Sequence, residues 1–216
     1  EVMLAVVALA VTFAFGGCTS NKQPLCNPDF IAKRLGDNPD AWKLIAHHDL
    51  RYHLMFHSNE TLAGMLKCLC TTKSTHHHSE KWERTVLYHY SENGTSTRHG
   101  RNSVWSKKTN DSFVYDNELS THYYKRIDTH LSFFYNRMTS NNQVVYTDMK
   151  TCILLRSEEL GYQVWVQTEY LHSYGKIPYV CVLLYEACAG RKKFWAYDWK
   201  FCPQNGHCSK QDNAKP

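Results

Sequence analysis

The stretch GYQVWV, residues 161–166, indicates a β-strand, because β-branched and aromatic side chains dominate it and favour extended backbone. Side chains alternate between the two faces of a strand. One face carries Tyr162, Val164 and Val166, and the other carries Gln163 and Trp165. A plain apolar core has no use for an amide, whereas a pocket needs aromatic area and a few placed polar groups. The alternation alone leaves open which of the two faces is packed and why a glutamine lies beside a tryptophan.

Strands of the same texture surround this stretch. From about residue 50 to residue 168, short aromatic and β-branched runs alternate with polar turns, which we place at 92–94, 109–111 and 140–142. The candidate strands are RYHLMFH (51–57), GMLKCLCTT (64–72), WERTVLYHY (82–90), NSVWSK (102–107), DSFVYD (111–116), THLSFFYNRM (129–138), QVVYTD (143–148), CILLRS (152–157) and GYQVWVQT (161–168). Eight or nine strands are about enough to close a small barrel around one ligand.

Two helices are predicted to flank the strands. The Asn38-Pro39-Asp40 sequence is a helix-start signal, and the apolar residues after it predict a short N-terminal helix. The segment PYVCVLLYEACAGRKK (178–193) opens with proline and has a natural helix stop at Gly190. The predicted fold class is therefore all-β: a barrel with a short N-terminal helix and one C-terminal helix.

The N-terminal residues indicate export. The run VMLAVVALAVTFAF (2–15) is apolar, carries no charge, is short for a bilayer span, and is followed by small residues up to Ser20. We expect a signal peptide at 1–20, one domain at 21–208 and a polar tail at 209–216. An uncleaved membrane anchor is the alternative; after cleavage we expect a secreted protein without membrane contact.

The cysteine count agrees with an oxidising, extracellular location. The chain has nine cysteines, and loss of Cys18 with the signal peptide leaves eight, which can all pair. Spacing alone leaves 105 connectivities open. Three sequons, at Asn59, Asn93 and Asn110, indicate a glycoprotein.

Composition and motifs exclude several function classes. The formal net charge is +5 and the basic residues are scattered apart from 191–193, so we expect no nucleic-acid partner. No nucleophile elbow, zinc-protease helix or nucleotide-binding glycine loop is present, so we expect no enzyme, no catalytic residue and no cofactor. The His76–His78 run is expected to lie solvated in a hairpin loop, and no metal site is predicted.

Five segments carry a resemblance to a known family. They are DAWKLI (40–45), FFYNRMTSNNQVVYTDMKTCILL (133–155), GYQVWV, IPYVCVLLYEACAGR (177–191) and WKFCP (199–203). In order and spacing they resemble tick salivary lipocalins of the histamine-binding type. The resemblance implies an eight-stranded antiparallel barrel with a helix packed outside, secreted in saliva to sequester small host mediators such as histamine, serotonin or eicosanoids and so evade host defence. We expect a monomer that binds a small molecule.

The resemblance also implies part of the disulfide map. Family pairing suggests Cys68 with Cys202 and Cys152 with Cys181. The remaining four cysteines are assigned as the pairs Cys26–Cys188 and Cys70–Cys208, which is a guess.

The barrel implies which residues face a ligand. Gln163 and Trp165 would line the lumen, and the aromatic residues of an amine cage would be Phe56, Phe133, Tyr135, Tyr146 and Trp165. Trp42 is expected to plug the base of the barrel, with a minor role at the ligand. Histamine-binding relatives carry an acid where this chain has Gln163 and another where it has Ile153. The acids that remain available to meet an amine are Asp49, Glu60, Asp148 and Glu169.

Two alternatives stay open. A fatty acid or leukotriene suits a cavity without acids, and its carboxylate would need a cation such as His53 or His57. A protein-binding inhibitor of complement or clotting uses the same barrel through its loops, which leave little local signature.

Overall fold

The computed structural model describes residues 26–35, 39–46, 51–73, 82–92, 96–128 and 133–205. Its strands are β1 (Tyr52–His57), β2 (Lys67–Lys73), β3 (Glu83–Glu92), β4 (Ser96–Lys107), β5 (Glu118–Asp128), β6 (Phe133–Thr147), β7 (Cys152–Ser157), β8 (Gly161–Gln167) and β9 (Phe194–Trp195). Its α-helices are α1 (Pro28–Arg34), α2 (Ala41–Ala46), α3 (Thr168–Tyr174) and α4 (Tyr179–Ala189), and 3-10 turns lie at Glu60–Leu62 and Cys202–Asn205.

The sheet closes on itself. Strands β2 to β8 pair in chain order, β8 pairs with β1, and β1 also pairs with β2, always antiparallel. Closure removes the sheet edges that would otherwise expose unpaired backbone groups. The eight-stranded lipocalin-like barrel expected from the sequence is confirmed.

The alternation of β8 separates two apolar clusters. Val164 and Val166 pack on the outside of the barrel with Leu184 and Tyr185 of α4. A second cluster combines Ala41 and Leu44 of α2 with residues of β1, β6 and β7, among them Ile153, and Trp165 packs against it. Helix α4 therefore covers the barrel wall, whereas α2 packs across one end of the barrel.

The seam between β1 and β2 is short and is completed by the C-terminal segment. The two strands pair only at Tyr52 with Thr71 and His53 with Cys70. Beyond that point β9 lies beside β1, and the backbone N–H groups of Ala196 and Tyr197 both donate to the Met55 carbonyl, at 2.9 and 3.1 Å. On the other side, the Cys68 N–H donates to the Ala196 carbonyl at 2.8 Å.

Disulfides fix this arrangement. The structure contains Cys26–Cys188, Cys68–Cys202 and Cys152–Cys181. Cys70 is also disulfide-bonded, but its partner lies outside the described residues. The pairing of Cys70 with Cys208 therefore stays a prediction.

Several sequence-based boundaries are wrong. The turn placed at 140–142 lies inside the continuous strand β6, where Ser140, Asn141 and Asn142 pair with β5. Polar residues fit the ladder because they bond across it: the Ser120 hydroxyl donates to Asn141 Oδ1 at 2.8 Å. Residues 111–116 form no strand, while β5, β9, α1 and α3 were missed. The expected single C-terminal helix is corrected to two.

A histidine without hydrogen-bond partners is buried in the barrel wall. The His53 side chain is buried on β1 against the Tyr197 ring (5.4 Å between centroids), and neither ring nitrogen has a hydrogen-bond partner. Burial, and secondarily the charge of His172 on α3, lowers the pKa of His53 to about 4. The unfolded chain takes up this proton near pH 6.5, so the free energy of unfolding should fall as the pH drops from about 6.5 towards 4.

The pH dependence of unfolding tests this prediction. His53→Leu should flatten the acid limb of urea-unfolding stability measured between pH 7 and pH 4. His99→Gln, at an exposed position of β4, is the matched control and should keep the wild-type slope. An unchanged slope in His53→Leu would assign the acid sensitivity to other groups.

Candidate ligand-binding cavity

A cavity of about 440 Å³ lies inside the barrel, and every barrel strand contributes to its wall. Its apolar lining consists of Leu44, Ile45, Leu66, Leu69, Val86, Val104, Leu119, Ile153, Leu155 and Leu160, with the rings of Tyr52, Tyr88, Tyr90 and Trp165. The polar lining consists of Thr71, Thr72, Arg84, Thr85, Asn102, Thr121, Ser140, Asn142 and Gln163. This volume lies within the range of small-molecule pockets, about 300–1,000 Å³.

A hydrogen-bonded polar cluster is centred on Gln163, whose side chain is buried. Gln163 Oε1 accepts from the Trp165 indole N–H at 3.0 Å. Its Nε2 donates to Ser157 Oγ at 2.9 Å and to Asn142 Oδ1 at 3.3 Å. The amide therefore fixes the indole, and it can offer a ligand only its remaining acceptor capacity.

The end of the barrel beneath α2 has a different chemistry. Arg84 of β3 lines the cavity there, and its guanidinium carbon lies 4.5 Å from the centre of the Trp42 ring. Its Nη1 donates to the Glu83 carbonyl at 2.7 Å, but its buried Nε has no hydrogen-bond partner. The Tyr52 hydroxyl, also buried in the lining, has none either. Both groups can donate to an acceptor on a ligand.

The charge of the cavity wall is one-sided. Among the described lining residues, Arg84 is charged and no carboxylate is present. Burial, and to a smaller extent the charges of Asp148 and Glu169, raises the pKa of Tyr52, so its hydroxyl stays neutral. The wall therefore offers hydrogen-bond donors, aromatic faces and one cation.

The structure places Gln163 and Trp165 in the cavity wall, but it places Phe56 and Tyr146 elsewhere. Phe56 packs on the outside, between Tyr185 (4.8 Å between ring centroids) and Trp195 (5.0 Å). Tyr146 packs against the same outer cluster.

Two β-bulges explain the misplacement of Phe56 and Tyr146. In the pairing of β1 with β8, Leu54 opposes Trp165 but Phe56 opposes Val164, so one extra residue shifts Phe56 to the outer face. The same shift occurs in β6 between Val144 and Tyr146. The expectation that both rings belong to an amine cage does not match these positions, because each bulge turns its ring to the outer face.

Of the other expected ligand residues, the structure describes the side chain of Trp42. Trp42 contacts Arg84 and the Trp82 ring (4.9 Å between centroids) and is absent from the lining, which is consistent with a plug at the barrel base. The side chains of Phe133 and Tyr135 and the whole of Asp49 lie outside the described part of the structure.

The remaining described acids considered for an amine do not line the cavity. Glu60 is exposed and pairs with Lys192 at 2.8 Å, and Glu169 is exposed on α3. Burial would raise the pKa of Asp148, but hydrogen bonds from Thr151, Lys150 and Cys152 outweigh it and hold this pKa below the usual value. These bonds commit Asp148 to the turn between β6 and β7.

The histidines considered for a carboxylate do not line the cavity either. His53 faces Tyr197, and His57 stacks against Phe194 with 6.0 Å between ring centroids. Burial lowers the pKa of both, so neither is held as a cation.

A family model described as tick histamine binding protein matches residues 30–204. The chain belongs to this family. The match begins within α1, spans the whole barrel, α3 and α4, and confirms the resemblance carried by the segments around β6–β8 and α4.

Two solved structures resemble the family member described here. AM182 in complex with serotonin is 18% identical, with a TM-score of 0.49, over 80% of this chain and 95% of that chain. Apocrustacyanin C2 is 10% identical, with a TM-score of 0.46, over 83% of this chain and 89% of that chain. No curated protein matches the chain.

No group of three metal-ligand side chains converges within the described residues, and His76–His78 lie outside them. None of the described helices is long and apolar enough to span a bilayer. Asn110 is exposed, whereas Asn59 is half-buried and donates to the Glu159 carbonyl; glycosylation of both, and of Asn93, stays a prediction.

Sequence reasoning missed the residues of β3 and β1 that build the cavity. In RTVLYHY (84–90), every second residue from Arg84 to Tyr90 lines the lumen. Period two was visible in this segment, but no motif distinguished its inner face from its outer face. Tyr52 was missed for the same reason.

Proposed function

We propose that this chain is a secreted, non-catalytic binding protein that sequesters a small host mediator in the barrel cavity, a biogenic amine such as histamine or serotonin, and so weakens host inflammation and defence. It acts by mass action as a monomer. The family supports amine binding at the level of the class. The observation that carries the proposal for this chain is the cavity itself, in which an oriented indole and three tyrosine rings offer aromatic faces to a cation.

Isothermal titration calorimetry with histamine and serotonin tests this function. Trp165→Ala should weaken amine binding at least about tenfold, because it removes an aromatic face and releases Gln163. Trp195→Ala, an exposed indole on the outer side of the barrel, is the matched control and should bind like wild type. Equal affinity of the Trp165→Ala and wild-type proteins would remove the indole from the site; silence with both amines would contradict the amine proposal.

A second candidate is favoured by one specific observation. Arg84 is the charged group of the described lining, its buried Nε lacks a partner, and the Tyr52 hydroxyl offers another donor. A fatty acid or leukotriene would place its chain against the leucine and valine side chains and its carboxylate at these donors. Charge-assisted hydrogen bonds from a guanidinium to a carboxylate are among the stronger ones.

Binding of arachidonate and leukotriene B4 separates this candidate from the first. Arg84→Met keeps an unbranched apolar side chain but removes the charge, and it should weaken lipid binding at least about tenfold. Arg101→Met, exposed on β4, is the control. Lipid binding that is unaffected by Arg84→Met would reject this carboxylate site. A protein that binds neither amines nor lipids would favour an inhibitor that acts through its loops.

A further inference from the structure

A glycine of β4 lies beneath a tyrosine ring that lines the cavity. Gly100 of β4 lies directly opposite Tyr88 of β3. A Cβ atom added at Gly100 would lie 2.3 Å from Tyr88 Oη and 2.4 Å from Tyr88 Cζ, far inside van der Waals contact. The outer end of the phenol therefore lies over Gly100, in space that any side chain at position 100 would occupy.

The backbone does not demand a glycine at this position. Four described glycines have positive φ angles, at positions 64, 161, 175 and 190, and Gly100 is not among them. Its strand pairs with β3 without interruption from residue 83 to residue 92. What Gly100 supplies is the absence of a side chain, although glycine in a strand interior generally lowers stability.

The position of the ring determines the width of the cavity. Tyr52, Thr71, Tyr88 and Gly100 form one cross-strand row over β1 to β4, and directly opposed residues share a face. The first three line the cavity. Because the Tyr88 ring leans over β4, it is withdrawn from the Tyr52 side of the row. If a side chain at position 100 displaced the Tyr88 ring, the ring would move into the cavity, towards Tyr52.

We propose that Gly100 is a specificity-determining position, which holds the cavity open for a bulky aromatic ligand by accommodating the Tyr88 ring. This inference rests on the proposed function in that the cavity is the ligand site. A bicyclic ligand such as an indole then depends on Gly100 more than a single imidazole ring does. The alternative is a purely structural role, in which the Tyr88 ring covers Gly100 and stabilises the sheet. That role predicts no difference in binding between the two ligands.

Gly100→Ala tests the geometry without reference to any ligand. Crystal structures of the wild type and the variant should show that the Tyr88 side chain changes rotamer towards Tyr52 and that the cavity becomes smaller. The clash involves the far end of a side chain with rotatable torsions, so the ring should move and the fold should persist. A Tyr88 ring that stays in place while β4 shifts would overturn the inference.

Binding tests the consequence for specificity. Gly100→Ala should weaken serotonin at least about tenfold and histamine less than about threefold. The double variant Gly100→Ala/Tyr88→Ala should recover serotonin binding, and Arg101→Ala, exposed on the same strand, should resemble wild type. Equal loss for both amines, or no recovery in the double variant, would overturn the inference. If the wild type binds neither amine, the proposed function fails, and the two crystal structures still decide whether Gly100 sets the cavity width.

Discussion

The double variant Ile153→Glu/Gln163→Glu is expected to bind histamine at least about a hundredfold more tightly than the wild type. The reason is the missing counter-charge: the described cavity lining holds Arg84 and no carboxylate. An amine that enters as a cation loses water and gains only aromatic faces, each contributing about 0.5–2 kcal/mol. A desolvated cation needs more compensation than this.

Position 163 is prepared for a carboxylate. The Trp165 indole already donates to Gln163 Oε1 at 3.0 Å, and this bond survives in Gln163→Glu. Ser157 and Asn142 now accept from the amide, but a hydroxyl can rotate and a side-chain amide can turn over, so both can donate instead. Gln163→Glu alone should therefore remain ionised and account for most of the gain.

Position 153 differs because it offers no such donors. Ile153 is buried and lies opposite Trp165 across β7 and β8. A glutamate there is desolvated, so we expect a raised pKa and ionisation only when the ligand cation arrives. The two acids would flank the Trp165 ring and hold the cation against its face.

Calorimetry at pH 7.4 with histamine measures the affinities of the wild type, both single variants and the double variant. Gln167→Glu, on the same strand but absent from the cavity lining, controls for the added charge. If the double variant gains nothing although its fold and cavity are intact, amine affinity is decided elsewhere than at these two positions. If Gln167→Glu gains equally, the effect is a long-range change of net charge.

The sequence predicted the barrel well because its signals are local: β8 alternates between two faces, β7 is a short apolar run, and α4 begins after Pro178 and ends before Gly190. GYQVWV has one apolar side that packs beneath α4 and one mixed side in the cavity, as its alternation indicates. Prediction from the sequence failed where one extra residue interrupts the two-residue alternation of a strand. The bulges beside Phe56 and Tyr146 leave no local sequence signal, yet each reverses the face of every residue beyond it.

The site was less predictable than the fold because its chemistry depends on partners far apart in the chain. Arg84 was one of many scattered basic residues, and its meaning depends on a cavity wall formed by all eight barrel strands. The Gln163 amide was recognised as unusual, but its bonds to Asn142 and Ser157 required the register of β6 to β8. The contact between the Tyr88 ring and Gly100 could be recognised only from the register of β3 and β4.

Loss of the Cys68–Cys202 disulfide is expected to lower the free energy of unfolding by about 4 kcal/mol. The bridge spans 134 residues of chain. Its effective loop is shorter because Cys26–Cys188 links the same two parts of the chain. In the chain-entropy model the cost depends only on the logarithm of loop length, so the loss stays large. Urea unfolding of Cys68→Ser/Cys202→Ser measures it.

The bridge should also determine where the barrel opens. The β1–β2 seam has two paired positions, and the rest is held by Ala196 and Tyr197 bonded to Met55 on one side and by Ala196 bonded to Cys68 on the other. Without the bridge, this C-terminal segment is retained only by those bonds and its side-chain packing. We expect faster amide hydrogen exchange at Ala196, Tyr197 and Cys68, whose N–H groups make the seam bonds.

The variant Cys152→Ser/Cys181→Ser distinguishes local opening of the β1–β2 seam from a general loss of stability. That bridge joins β7 to α4 and closes a sequence separation of 29, so its removal should also cost about 3–4 kcal/mol. In this variant, amide hydrogen exchange should become faster in α4, while the amides of the β1–β2 seam should exchange as slowly as in the wild type. Because Leu66 and Leu69 beside Cys68 line the cavity, only the seam variant should also accelerate ligand release. Uniform exchange in both variants would show that the C-terminal segment does not close the barrel.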